Sequence, residues 1–289
     1  MAEIKLCFRF VLVFYVITTA HICYAESSRF PSSRVEVEKH LNKSAVKSIK
    51  IPDGDIIDCV HISHQPAFDH PLLKNHTIKM KPDYHPNRIN VDGIKDGTLS
   101  PYVTQVWHSY GKCPKGTIPI IRTKKEDVLR ASSVNSYGKK KSFVDVELDV
   151  RERHEHAIAY NNGQVYGAKA TLNVWHPKVE EHNEFSVAEI LITGGSIDSD
   201  LISAGWQVYP GMYGDTNTRF FIYWTNDGHQ TTGCYNLRCS GFIQINNKIA
   251  IGGSLSPISQ MYGSQYEFTI LIWKVYLQIC NFLSQIISS

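Results

Sequence analysis

The residues that could do chemistry gather in Leu201-Ile-Ser-Ala-Gly-Trp-Gln-Val-Tyr-Pro210. Successive side chains of a strand point to opposite faces. Ser203, Gly205, Gln207 and Tyr209 would therefore share one face, and Ile202, Ala204, Trp206 and Val208 the other. The first set suits a substrate cleft, with Gln207 and Tyr209 as contact residues; the second suits a core. Ser203 limits what the cleft could do. A hydroxyl carries no charge at neutral or acidic pH and cannot be a general base. As a nucleophile it needs a neighbouring base and an orienting acid, and Leu-Ile-Ser-Ala-Gly is not a Gly-x-Ser-x-Gly elbow.

Other polar residues offer weaker chemistry. Glu189 lies on the same side of its run as Val187 and Leu191, opposite Ala188 and Ile190. Turned inward it would have a raised pKa and could replace a missing acid, but glutamates are mostly exposed, and a solvated Glu189 is the expectation. His154 and His156 would share a strand face and could chelate Zn²⁺, but no third ligand stands at a fixed spacing, and His176 and His182 are near only in sequence. No metal and no cofactor is expected. Asp198 and Asp200 read as a turn rather than a carboxylate pair.

Strands must position these residues. From Tyr166 to Val174 every second residue is apolar, the period of a half-buried antiparallel strand. Runs rich in β-branched and aromatic residues follow at 185–192, 219–225, 241–245, 248–251 and 267–273. Asn161-Asn-Gly163, Gly194-Gly195, Asn246-Asn247 and Gly252-Gly253 supply turns between them. The fold class is all-β: an antiparallel β-sandwich preceded by a smaller, loop-rich domain. Within the latter, 35–43 suggests a short helix, and the Pro- and His-dense stretches of 51–76 read as loop with short extended pieces. Asn135-Ser-Tyr-Gly-Lys-Lys-Lys141 reads as a basic linker open to proteolysis.

The stretch around Ser203, with Thr231-Thr-Gly-Cys-Tyr-Asn-Leu-Arg-Cys-Ser-Gly-Phe242 downstream, resembles the neprosin family of plant secreted proteins. Ile51-Pro-Asp-Gly-Asp-Ile-Ile-Asp-Cys-Val60, Gln65 to His76, Gln105-Val-Trp-His108 and Lys112 to Ile120 are similar to that family's activation peptide. The likeness runs from Ile51 to Lys274. It implies a signal peptide at 1–25, an activation-peptide domain at 26–145 and a sandwich at 146–289. It also implies a glutamic peptidase that cuts after proline, acting on peptides or proline-rich proteins. Such enzymes hold a water between two carboxyl groups whose pKa values are pushed apart. The family motif reads Ile-Glu-Ala-Gly-Trp, so the resemblance places Ser203 where one catalytic glutamate belongs. After Ile270-Leu-Ile-Trp-Lys274 the chain departs from the continuation that carries the second, and it reads as truncated after about 274. The resemblance makes Cys234–Cys239 a signature bridge, with Cys59 and Cys113 then paired in the N-terminal half and Cys280 left over.

Composition and address agree with secretion. Lys5 and Arg9 precede an apolar run from Phe10 to Ile17, and Cys23-Tyr-Ala25 ends it with small residues, the pattern of a signal peptide cut after Ala25. The run is short of the ~20 apolar residues of a span, so no membrane segment is expected after cleavage. Asn42-Lys-Ser44 and Asn75-His-Thr77 are glycosylation sequons. A net charge of +3 with scattered basic residues excludes the electrostatic footprint of a nucleic-acid binder. Three functions follow: an inactive relative that binds peptide or cell-wall material, an acid peptidase using a carboxylate such as Glu189, or a fragment with unpaired sheet edges. Inactivity is the expectation, since losing one acid–base group costs about 10²–10⁴ in rate.

Overall fold

A computed structural model describes residues 40–81, 103–131, 133–140, 155–161, 163–194 and 199–274. The expected signal peptide, most of the expected 35–43 helix, Lys141, His154, Asp198 and the tail with Cys280 lie outside the described residues.

The N-terminal half contains a sheet that its sequence hid. Strands β1 (Ala45–Lys50), β2 (Ile56–His61) and β4 (Thr117–Ile121) pair antiparallel in the order β1-β2-β4. Ile57 to Val60 are buried without a break, because one face of β2 meets Ile49, Trp107 and Cys113 and the other meets the main core. A strand buried on both faces shows no alternation, so 51–60 was expected to be loop with short extended pieces. The Cys59–Cys113 bridge, spanning 54 residues, ties this sheet to the segment after Trp107. Strand β3 (Thr104–Gln105) leaves the half to pair elsewhere, and helix α1 (Lys125–Arg130) ends the sheet region.

The C-terminal half builds the sandwich. Strands β5 (Gly167–Asn173), β6 (Ser186–Gly194) and β7 (Asp200–Val208) precede helix α2 (Pro210–Tyr213). Strands β8 (Arg219–Thr225), β9 (Cys234–Tyr235), β10 (Leu255–Ser256) and β11 (Glu267–Trp273) follow. One sheet runs β6-β7-β8-β9, another pairs β11 with β5, and β10 pairs with β3. Between them Ala204, Trp206, Val208, Phe220 and Ile222 pack on Phe268, Ile270 and Ile272. The Trp206 indole donates to the Asn173 carbonyl at 2.8 Å, and Phe220 meets Phe268 edge-on. The antiparallel, all-β expectation stands.

Two corrections follow. Asp200 opens β7 opposite Gly194 instead of closing a turn. The runs 241–245 and 248–251, expected as strands, are irregular. Side chains have taken their backbone bonds: Gln65 accepts from Gln244 N and donates to Gln244 O, while Gln105 does the same for Ala250. A backbone served by an amide side chain needs no neighbouring strand.

Candidate active site

The face of the four-stranded sheet away from the core carries the candidate residues. Ser203 lies between Leu191 of β6 and Tyr223 of β8, and is only 2 % exposed. Glu189 pairs with Gly205, one step diagonally from Ser203, and is half-buried. Alternation thus puts Ser203, Gly205 and Gln207 together as expected, with Glu189 on the same outward face. Gly205 is needed where it stands. A Cβ there would fall 2.0 Å from the Ala188 carbonyl oxygen and 2.8 Å from the Glu189 Cα, so only glycine lets β6 approach.

Tyrosines surround these residues. Tyr235 packs on Tyr223 at 4.8 Å between centroids and on Phe221 at 6.0 Å. Gln207 is buried and donates to the Tyr213 hydroxyl at 2.8 Å, which also accepts from Asn236 at 3.0 Å. Tyr209 has left the strand to cap α2, and its ring meets Phe185 at 5.3 Å. Burial first, and then the nearby charge of Glu189, pushes the Tyr235 phenol well above its usual range. Tyr223 is pushed up by burial and by Asp227. Both phenols therefore stay protonated and are not bases.

His229 completes the far wall. Its Nδ1 lies 2.6 Å from the Tyr223 hydroxyl, and burial, aided by the Lys140 ammonium, pushes its pKa down, so the ring is neutral. Asp227 shapes the turn that holds it. Burial alone would push the Asp227 carboxyl up, but bonds from the hydroxyls and amides of Thr231 and Thr232 outweigh that and hold it at about 2. Its folded pKa lies below the ordinary 3.8, so its stabilisation is full above that value and disappears as pH falls through about 2. Asp227→Asn is expected to cost roughly 1 kcal/mol at neutral pH, discounted for its exposure. Paired thermal melts should show the gap closing in strong acid; a gap that persists there contradicts the assignment.

The expected linker is instead docked. Tyr137 is buried, the Gly138 carbonyl accepts from the Tyr235 amide at 2.7 Å, and the Lys140 ammonium sits over the Tyr223 ring at 5.8 Å. A hydrophobic anchor and an edge hydrogen bond explain why a lysine-rich stretch lies down here. Sequence reasoning missed Tyr223, Tyr235 and His229 as site residues, because their runs look like ordinary strand and turn.

Glu189 is the one carboxylate on this sheet face among the described residues. Asp227 faces its threonines, and Asp215 is bound to Arg219. Among the described residues no group of three or more His, Cys, Asp or Glu could hold a metal ion.

Comparison with known families agrees with this geometry. Residues 48–160 match the neprosin activation peptide, and residues 182–278, which carry the whole four-stranded sheet, match neprosin. The chain belongs to the neprosin family. In this family member both bridges form, Cys59–Cys113 and Cys234–Cys239. Among the described residues no helix is long and apolar enough to cross a membrane. The two sequons differ in setting. Asn75 is exposed, whereas the Asn42 carboxamide donates to Thr123 O at 2.8 Å and accepts from Thr123 N at 2.9 Å.

Proposed function

We propose that this neprosin-family protein is secreted, and that its groove binds peptide without hydrolysing it. The observation that carries the reading is a buried hydroxyl, Ser203, beside Glu189, the one carboxylate on that sheet face among the described residues. The resemblance assigns the place of Ser203 to a catalytic glutamate. The resemblance implies two catalytic carboxyl groups, and losing one acid–base group costs about 10²–10⁴ in rate. Binding is another matter. The segment ending at Lys140 already lays a carbonyl on the β9 edge and a cation over Tyr223, which is what an extended peptide would do. The aromatic rings of Phe185, Tyr209 and Tyr235 suit proline-rich chains.

A second reading, an acid peptidase served by Glu189, is favoured by the position of that residue diagonal to Ser203. Purified protein incubated with a proline-containing peptide in mildly acidic buffer separates the two. The first reading expects no cleavage product by mass spectrometry, and a rise in melting temperature with the peptide. Cleavage that disappears in Glu189→Gln establishes the second. A folded sample with neither cleavage nor a thermal shift sinks both.

A further inference from the structure

We infer that the N-terminal half shares its core with the sandwich so closely that cutting the connection between them at neutral pH leaves a non-covalent two-chain particle. The inference does not depend on whether the groove hydrolyses anything.

Three features of the contact support it. The first is a shared interior: Val60, Ile118 and Ile120, from the small N-terminal sheet, are in the same buried cluster as Ala204, Trp206, Phe220, Ile222 and Ile251. Obligate interfaces look like a core cut in two, and this one is continuous. On the other face of the small sheet, Ala250 packs with Ile57, Cys59 and Trp107.

The second is backbone satisfaction. The irregular segment 244–254 draws several of its hydrogen bonds from the N-terminal half. Gln65, 1 % exposed, serves both the amide and the carbonyl of Gln244. Gln105, 4 % exposed, serves both groups of Ala250 and also accepts from the Trp107 indole. Val106 N donates to Ser254 O, and β3 pairs with β10. If the N-terminal half left, these groups would lose their partners and β10 its neighbouring strand.

The third is charge. Arg219, on β8, is buried and bonds Asp55 of the N-terminal half at 2.6 Å as well as Asp215 of its own half. Separation would leave Asp55 without its cation. Neither disulfide crosses the junction, since Cys59–Cys113 and Cys234–Cys239 each close within one half. Retention is therefore non-covalent and can be measured.

The test uses the full chain with a site-specific protease recognition sequence inserted after position 145. The purified protein is cut to completion at neutral pH and run on a sizing column without reductant. Both fragments are expected to co-elute at the position of the uncut protein. The same cut in a Gln65→Ala, Gln105→Ala double variant is expected to release the fragments at least ten times faster, whereas an exposed control, Gln230→Ala, leaves the rate unchanged. Loss of either fragment from the cut parent protein, as a separate peak or a precipitate, overturns the inference. A double variant that releases no faster removes the role given to the two glutamines.

Discussion

Arg219→Ala is expected to destabilise the protein by about 3–5 kcal/mol, the cost of removing one partner from a buried ion pair. The side chain is 1 % exposed and each of its three nitrogens is bonded. Nη1 reaches Asp55 at 2.6 Å and the Gly252 carbonyl at 2.9 Å, while Nη2 and Nε hold Asp215 at 2.5 and 3.2 Å. The guanidinium also lies over the Tyr213 ring at 5.0 Å. Burial alone would push Arg219 down, but Asp215 and Asp55 outweigh it and keep it charged. Burial pushes Asp55 up, and Arg219 reduces that push without cancelling it. Alanine leaves two carboxylates facing an emptied site. The folded pKa of Asp55 then rises further, so the variant loses stability as pH rises through that range and recovers some of it in acid. Urea titrations at neutral and acidic pH should show the difference from the parent protein narrowing on acidification. Arg219→Lys keeps the charge but not the fork and should fall between the two. A neutral-pH loss under 1 kcal/mol would remove this residue from the junction's main supports.

Removing the Cys59–Cys113 bridge is the second large effect. Its loop of 54 residues corresponds to about 4 kcal/mol of chain entropy restored to the unfolded state. For a chain of this size that is a fall of about 8–16 °C in melting temperature. Cys59 is fully buried beside Ile57 and Trp107, so alanine at both positions is the proper replacement. The Cys234–Cys239 bridge spans five residues, and the same relation gives it only about 2 kcal/mol. Melting curves of the two double alanine variants should therefore rank the long bridge above the short one. The opposite order contradicts a chain-entropy account.

Much of the sandwich was legible from alternation in one strand and from runs of β-branched and aromatic residues in others. The alternation from Tyr166 to Val174 became β5, and 219–225 and 267–273 became β8 and β11. The three-stranded N-terminal sheet was not legible, since β2 is covered on both sides and shows no alternation. The irregular 241–251 segment misled in the other direction. Its β-branched and aromatic residues suit a strand, but glutamines distant in sequence took the bonds that a strand would need.

Side-chain parity is local, so the residues themselves determined that Ser203 and Gln207 lie opposite Trp206 and that Glu189 lies opposite Ala188 and Ile190. Which groups stand across the groove is not local. Only the folded chain could bring Glu189 diagonal to Ser203, lay Gly138 and Lys140 along Tyr235 and Tyr223, and seat Asp55 against Arg219 over a separation of 164 residues. A strand's period says which way a side chain points, whereas its partners are chosen by burial and hydrogen-bond satisfaction summed over the whole core.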